Sequence, residues 1–414
     1  MSGRPLVIRG DARALPLPDS SVDLIVTSPP YFGLRAYTDG GEAYAEQIGS
    51  EPTPADYIDS LVECTREWVR VLKPTGSIFV NLNDKYSQYE GILKGHGRSL
   101  GRTERVSRGE PLAMPVSAPQ LWGIPAKSLM LLPERYRIAC VDQLGLIARA
   151  VILWHKPNGL PESATDRVRR SHEDWVHLTR QPRYYSAVDE IRDPASDYAR
   201  PNGNGRAPRG GQRPRMMLDT CNPLGRLPGS VWEYPTEPLR VPDHLPQHFA
   251  AFPVSLPRRL VQGWSPPGIC VQCGVGRRPV RARESVTASS PGNVPSRRIP
   301  GEGRNPITRH GEPGSTLRLE RGYKPLGYAC ACPEPTAPTL PAVVLDPFGG
   351  TGTTALVASV LGRIGITVDR SGDYCRLARW RTTDPSERAR ALRVPKPPAQ
   401  STGQEALFDV EVAA

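Results

Sequence analysis

Val22-Asp23-Leu24-Ile25-Val26-Thr27-Ser28-Pro29-Pro30-Tyr31 runs a short apolar stretch straight into two consecutive prolines and an aromatic ring. Such a run of Val, Ile and Leu, closed by Pro, predicts a strand buried on both faces, as in a parallel sheet. The double proline fixes φ twice and removes two backbone donors. The loop therefore presents carbonyl oxygens, the Ser28 hydroxyl and the Tyr31 ring. Open α/β sheets bind their ligands beyond the carboxyl ends of the strands, where this loop would lie. Its groups suit an exocyclic amine on a planar base: a hydroxyl and a carbonyl accept the two amine hydrogens while the ring stacks. Two acceptors also localise a nitrogen lone pair that conjugation otherwise spreads over the base, which readies it to attack an electrophilic methyl. Taken alone, the stretch is equally a Pro-Pro turn after a buried strand.

Outward from it, Leu6–Arg9, Ser77–Leu82, Ala150–Trp154, Val343–Leu345 and Arg363–Val368 predict further buried strands. Residues 57–72 place Ile58, Leu61, Val62, Thr65, Trp68, Val69 and Leu72 on one helical face, and Lys73-Pro74-Thr75-Gly76 ends that helix. Residues 135–148 and 353–361 carry similar helical patterns. Strands alternating with helices predict an α/β fold with a doubly wound, mostly parallel, Rossmann-like sheet.

A second motif lies near the other end: Val343-Val344-Leu345-Asp346-Pro347-Phe348-Gly349-Gly350-Thr351-Gly352-Thr353-Thr354. This is strand, Gly-rich turn, helix. Glycines let the backbone approach a ligand closely and adopt positive φ. No Lys follows the last Gly, so it is not a phosphate loop. About 20 residues on, the next strand ends at Asp369, the position at which an acid commonly binds ribose hydroxyls. Turn and spaced acid together predict a site for an adenosine-containing cofactor.

The 414 residues carry 53 Lys and Arg against 42 Asp and Glu, a net charge of +11 that favours a polyanionic partner, nucleic acid by default. Pro (46) and Gly (39) make up about a fifth of the chain, which predicts a compact core with long irregular inserts. No run of 18 apolar residues exists, which rules out a helical membrane span. The N-terminus lacks the apolar core of a secretory signal, and eight cysteines in this length are not a disulfide framework, so the chain reads as cytoplasmic.

Combined, the two motifs resemble those of the DNA amino-methyltransferases, which methylate cytosine N4 or adenine N6 with S-adenosylmethionine. Ser28-Pro29-Pro30-Tyr31 is similar to their catalytic motif, and residues 346–353 are similar to their cofactor motif. Catalytic before cofactor motif resembles the circularly permuted β group. Gly10-Asp11-Ala12 resembles the segment near the cofactor's adenine, and the resemblance puts Asp84, in Asn81-Leu82-Asn83-Asp84, near the cofactor too. Trp154-His155-Lys156-Pro157-Asn158 and Ser171-His172-Glu173 resemble later catalytic-half motifs. His248 and Phe249 resemble the motif around the methionine part, and Asp373–Ala378 fits the helix after Asp369. The resemblance covers about residues 1–90, 121–192, 229–265 and 342–382. It implies double-stranded DNA as partner, a base flipped out of the helix, and direct attack of the amine on the methyl without a covalent enzyme intermediate. Ser before Pro-Pro is associated with cytosine and Asp with adenine, so Ser28 favours cytosine N4, with adenine N6 the alternative. A restriction endonuclease partner or an orphan role are both open, as is a bacterial or phage origin.

This gives a division into 1–192 (catalytic half, with a basic insert at 91–120), 193–228 (target recognition), 229–265 (leading to the cofactor half), 266–341 (Cys-containing basic insert), 342–382 (cofactor half) and 383–414 (flexible tail). Cys270-x-x-Cys273 has zinc-knuckle spacing, and Cys330-x-Cys332 completes four thiols. Together they predict a zinc-ribbon-like structural site, with free thiols the alternative. Candidate DNA contacts are Arg98 and Arg102 in the first basic insert and Arg206, Arg209 and Arg213 in the second, with solvated basic loops the plainer reading. An RNA methyltransferase and a non-catalytic DNA-binding zinc protein are the competing functional classes.

Overall fold

The computed structural model describes residues 5–34, 38–39, 42–43, 46–87, 121–159, 161–194, 224–245, 251–288, 318–330, 332–333 and 337–397. Its strands are β1 (Leu6–Arg9), β2 (Val22–Thr27), β3 (Thr38–Asp39), β4 (Glu42–Ala43), β5 (Leu72–Leu82), β6 (Ile147–His155), β7 (His172–Thr179), β8 (Val231–Glu233), β9 (Ile269–Cys270), β10 (Arg278–Ala288), β11 (Arg318–Ala329), β12 (Thr339–Leu340), β13 (Val343–Asp346) and β14 (Ile364–Asp369). The helices are α1 (Pro54–Val71), α2 (Leu132–Leu144), α3 (Ser255–Trp264), α4 (Thr353–Val360), α5 (Gly372–Thr383) and α6 (Pro385–Leu392). None of the described helices is long and apolar enough to cross a membrane.

Eight strands form one sheet in the order β1-β14-β13-β2-β5-β7-β6-β8. The first five run parallel, β7 is antiparallel to both its neighbours, and β6 and β8 pair in parallel. Beside each other at its centre lie β13 and β2, which are some 300 residues apart in the chain. Every residue of β2 is buried. Ile25 faces a core built with Leu61, Trp68 and Tyr136 from α1 and α2. Leu24 and Val26 face the other core, with Leu256 and Leu260 of α3 and Val357 of α4. A sheet covered on both faces needs apolar residues at successive positions, which is why its inner strands read as unbroken runs.

The helix expected from the 57–72 pattern forms as α1. Thr53 caps it by accepting from Asp56 N at 3.1 Å, and Pro54 opens the first turn. Trp68 is fully buried and donates from Nε1 to the Ala12 carbonyl at 3.1 Å, tying α1 to the segment after β1.

Three expectations are corrected. The helical pattern at 135–148 stops at Leu144, because Gly145 takes φ 64 and turns the chain into β6. The tail expected from 383 begins with α6, capped by the Asp384 carboxylate through Ser386 N and Glu387 N and packed through Ala389 and Ala391. Its apolar face is two alanines, too faint a signal to stand out in the sequence. Residues 278–288 and 318–329 of the Cys-containing insert pair as an antiparallel ribbon.

Candidate functional site

A cavity of about 690 Å³ opens beyond the carboxyl ends of the parallel strands. Ser28, Pro29, Pro30 and Tyr31 line one side, and Asp346 to Thr351, Thr353 and Asp369 line another. Asp11 lies at its edge with Gly10 and Ala12. Two motifs some 300 residues apart meet there because β2 and β13 are neighbours in the sheet.

The Ser28–Tyr31 loop is held from below. Tyr57 of α1 donates its hydroxyl to the Pro30 carbonyl at 2.8 Å, so this acceptor is already engaged. The Tyr31 hydroxyl lies 2.8 Å from Asn81 Oδ1 and 2.9 Å from Glu173 Oε2. Ser28 Oγ is 3.4 Å from the same Asn81 oxygen. Lys156 forms an ion pair with Glu173 and sits 4.3 Å from the centre of the Trp154 ring. Burial first, and then the Glu173 carboxylate, push the Tyr31 phenol well above its ordinary range, so it stays protonated.

The Gly-rich turn is fixed by its backbone. Gly349 donates to the Val368 carbonyl at 2.8 Å, and a Cβ there would lie 1.6 Å from Thr367 Oγ1, so only glycine fits. Gly350, at φ 47, donates to Asp369 Oδ2 at 2.8 Å. The other Asp369 oxygen accepts from Ser371 N at 2.8 Å. Burial raises the Asp369 pKa to about 6. Asp346, 1% exposed, accepts from Thr27 Oγ1 at 2.7 Å and from Phe348 N at 3.2 Å, and burial raises it to about 7. Gly352 does not line the cavity: at φ 72 it precedes α4 and packs against Ala378. Under the turn, buried Arg381 donates to Thr351 Oγ1 at 2.5 Å and Thr353 Oγ1 at 2.6 Å. At the rim, Asp11 is held below the usual carboxylate range: its partial burial works against this, but two hydrogen bonds and the charge of Arg13 prevail.

Asp84 is a correction. Its carboxylate accepts from Lys85 N, Leu131 N and Leu132 N at 2.9 to 3.1 Å and caps the start of α2, away from the cavity. Asn81 and Asn83 of the same segment line the cavity instead. Lys156 and Glu173 lie there too, although only their wider motifs stood out in the sequence. Alternation along an extended chain puts residues 81 and 83 on one side and 84 on the other, a signal that could have chosen between them. Cys270, Cys273, Cys330 and Cys332 gather in a separate cluster. His248, Phe249, Arg98, Arg102, Arg206, Arg209 and Arg213 lie outside the described residues.

A family model described as DNA methylase, of the N6/N4 type, matches residues 22–272. The chain belongs to this family of DNA amino-methyltransferases. It is 35% identical over 266 residues to the Type II methyltransferase M.SmaI of Serratia marcescens, covering 63% of this chain and 76% of that one. To the Type II methyltransferase M.Cfr9I of Citrobacter freundii it is 31% identical over 264 residues, 63% of this chain and 73% of the relative. Among solved structures, the PvuII DNA methyltransferase (cytosine-N4-specific) aligns with 95% of this chain and 96% of its own at a TM-score of 0.47 and 15% identity. Membership of the family implies DNA as substrate and S-adenosylmethionine as methyl donor.

Proposed function

We propose that the chain is a site-specific DNA methyltransferase acting on the N4 amine of cytosine in a base flipped out of double-stranded DNA. The observation that carries this reading is one cavity lined by both Ser28–Tyr31 and the 346–353 turn with Asp369.

The cofactor side fits an adenosine-containing group. Gly349 and Gly350 present bare backbone, Asp369 offers carboxylate lone pairs, and the buried Asn83 Oδ1 has no hydrogen-bond partner among the described residues. On this reading Asp369 holds ribose hydroxyls, Asp11 borders the adenine, and Asp346 with Pro347, Phe348 and Thr351 frames the rest. His248 and Phe249 complete the wall on the strength of the sequence. When bound, S-adenosylmethionine supplies an electrophilic methyl.

On the base side, proton counting supports an amine. The Tyr31 phenol has one proton and two oxygens within reach, Asn81 Oδ1 and Glu173 Oε2. The Ser28 hydroxyl is also directed at Asn81 Oδ1, so the two protons still leave lone pairs on these oxygens that can accept an incoming N–H. Ser28 Oγ adds an acceptor beside it. The Tyr31 ring stacks on the base, and the ion-paired Lys156 holds Glu173 in place. Extruding the nucleotide costs a few kcal/mol of stacking and pairing, which these contacts offset. Ser28, rather than Asp, before the double proline favours cytosine. The catalytic strand preceding the cofactor strand in the chain supports a circular permutation. The arginines at 98, 102, 206, 209 and 213 are assigned to DNA, with 193–228 reading the site. Relatives named as Type II methyltransferases support a companion restriction endonuclease.

Calorimetry with S-adenosylmethionine tests the assignment of the two sides. Asp369→Ala should weaken cofactor binding by roughly tenfold or more, for loss of a charged hydrogen bond, while Tyr31→Ala binds as wild type. Equal affinities for Asp369→Ala and wild type would overturn the cofactor half of the reading.

A further inference from the structure

The four thiols of Cys270, Cys273, Cys330 and Cys332 come from two stretches separated by residues 274–329, yet all four sulfur atoms lie within 4.8 Å of one another. A tetrahedral ion with sulfur at about 2.3 Å sets its ligands about 3.8 Å apart, so this spacing is that of a coordination shell before small adjustment. None of the four is in a disulfide. Around the first pair the chain forms a tight knuckle: Gly274 takes φ 67, and its N–H donates to the Cys270 carbonyl at 2.9 Å.

We propose that these four cysteines bind one zinc ion, and that the ion clamps the base of the β10–β11 ribbon. A set of four soft thiolates, with no further His, Asp or Glu in the cluster among the described residues, suits a structural ion with its four positions filled. Its place in the fold agrees. The first ribbon pair, Arg278 with Ala329, is followed at once by Cys330. β9, which contains Cys270, pairs with β12, so the ion joins both ends of the insert. The ribbon base also docks on the segment after β7, through Arg281 with Asp189 and Glu190 and Arg278 with the Ser186 carbonyl. That segment reaches Thr75, and Ser265, just before Cys270 in the chain, accepts from Arg363, at the starting ends of β5 and β14. The cavity lies at the opposite ends of the same strands. The zinc therefore holds the insert in register and touches no reacting atom, whether or not the methyl-transfer reading stands.

Elemental analysis of the full chain, purified without chelator, tests this together with cobalt substitution. Expected are roughly one zinc per chain, intense thiolate-to-cobalt absorption after exchange, and metal loss in Cys273→Ser and in Cys332→Ser. Cys375→Ser, in a buried thiol elsewhere, should retain the metal. Removing the ion should lower the melting temperature by roughly 5 °C, because the loop it closes is long. Bound iron instead of zinc, four freely alkylated thiols with no metal, or two disulfides found by mass spectrometry would each overturn the proposal.

Discussion

Tyr31→Phe probes the contact on which the base pocket depends. The substitution keeps the ring and removes an oxygen 2.8 Å from Asn81 Oδ1 and 2.9 Å from Glu173 Oε2. Glu173 has only 8% of its side chain exposed, so a lost donor is poorly replaced by water. A hydrogen bond to a charged group contributes about 1.5–3 kcal/mol, and Lys156 still neutralises the carboxylate, so about 2 kcal/mol of stability should go. That corresponds to a fall of roughly 4 °C or somewhat less in melting temperature for a chain of this size. Turnover should suffer less, by about tenfold, because the stacking face survives. Tyr31→Ala removes the face as well, and base stacking is worth about 1–3 kcal/mol, so kcat/KM should fall by up to a further hundredfold or so. The decisive assay is a double-mutant cycle of Tyr31→Phe with Glu173→Gln, read by denaturant unfolding. A coupling of about 1 kcal/mol is expected; effects that add to within about 0.4 kcal/mol would refute the contact.

Three other substitutions test separate parts of the account. Asp346 has its pKa raised to about 7 by burial, so its ionisation opposes folding: its contribution is fully favourable below pH 4 and is lost as pH rises through 7. Asp346→Asn should therefore gain stability relative to wild type between pH 4 and 7, by at most on the order of 4 kcal/mol, and a flat difference in denaturation midpoints across that range would contradict this. Gly365→Ala would place a Cβ 2.3 Å from the Ala355 carbonyl oxygen where α4 crosses β14, and should cost about 3 kcal/mol in a thermal melt; a variant as stable as wild type would count against that packing. Asp84→Ala should lose about 1–2 kcal/mol as a helix cap while leaving cofactor affinity within about twofold, and a large loss of affinity would restore Asp84 to the site.

Most of the sheet was legible because its inner strands are buried on both faces and so have little choice of residue. Val22–Thr27 and Val343–Asp346 fall where their apolar runs do. β7 was not read as a strand, since Glu173, Asp174 and His177 interrupt its apolar residues. The structure shows why Glu173 and His177 are tolerated. Glu173 is paired with Lys156. His177 stacks on Phe79 at 4.1 Å, and its pKa falls to about 3 through burial first and Arg149 second, so it is neutral. The ribbon was illegible for a related reason: Arg278 and Arg281 dock through carbonyls and acids, which leave no apolar alternation in the sequence. In the site, the two motifs were visible as strand-to-loop transitions. The Asn81, Lys156 and Glu173 contacts depend on which strands are neighbours, a fact carried by the whole sheet and by no local pattern.

Transfer of a labelled methyl group tests the central claim most directly. The purified chain would be incubated with unmethylated genomic DNA and methyl-deuterated S-adenosylmethionine, and the DNA digested to nucleosides for mass spectrometry. Deuterated N4-methylcytosine is the expected product, and its yield should fall sharply with Ser28→Ala or Tyr31→Ala. Deuterated N6-methyladenine would contradict the use made of Ser28, and an unlabelled digest from a protein that binds the cofactor would contradict the assignment of DNA cytosine as substrate.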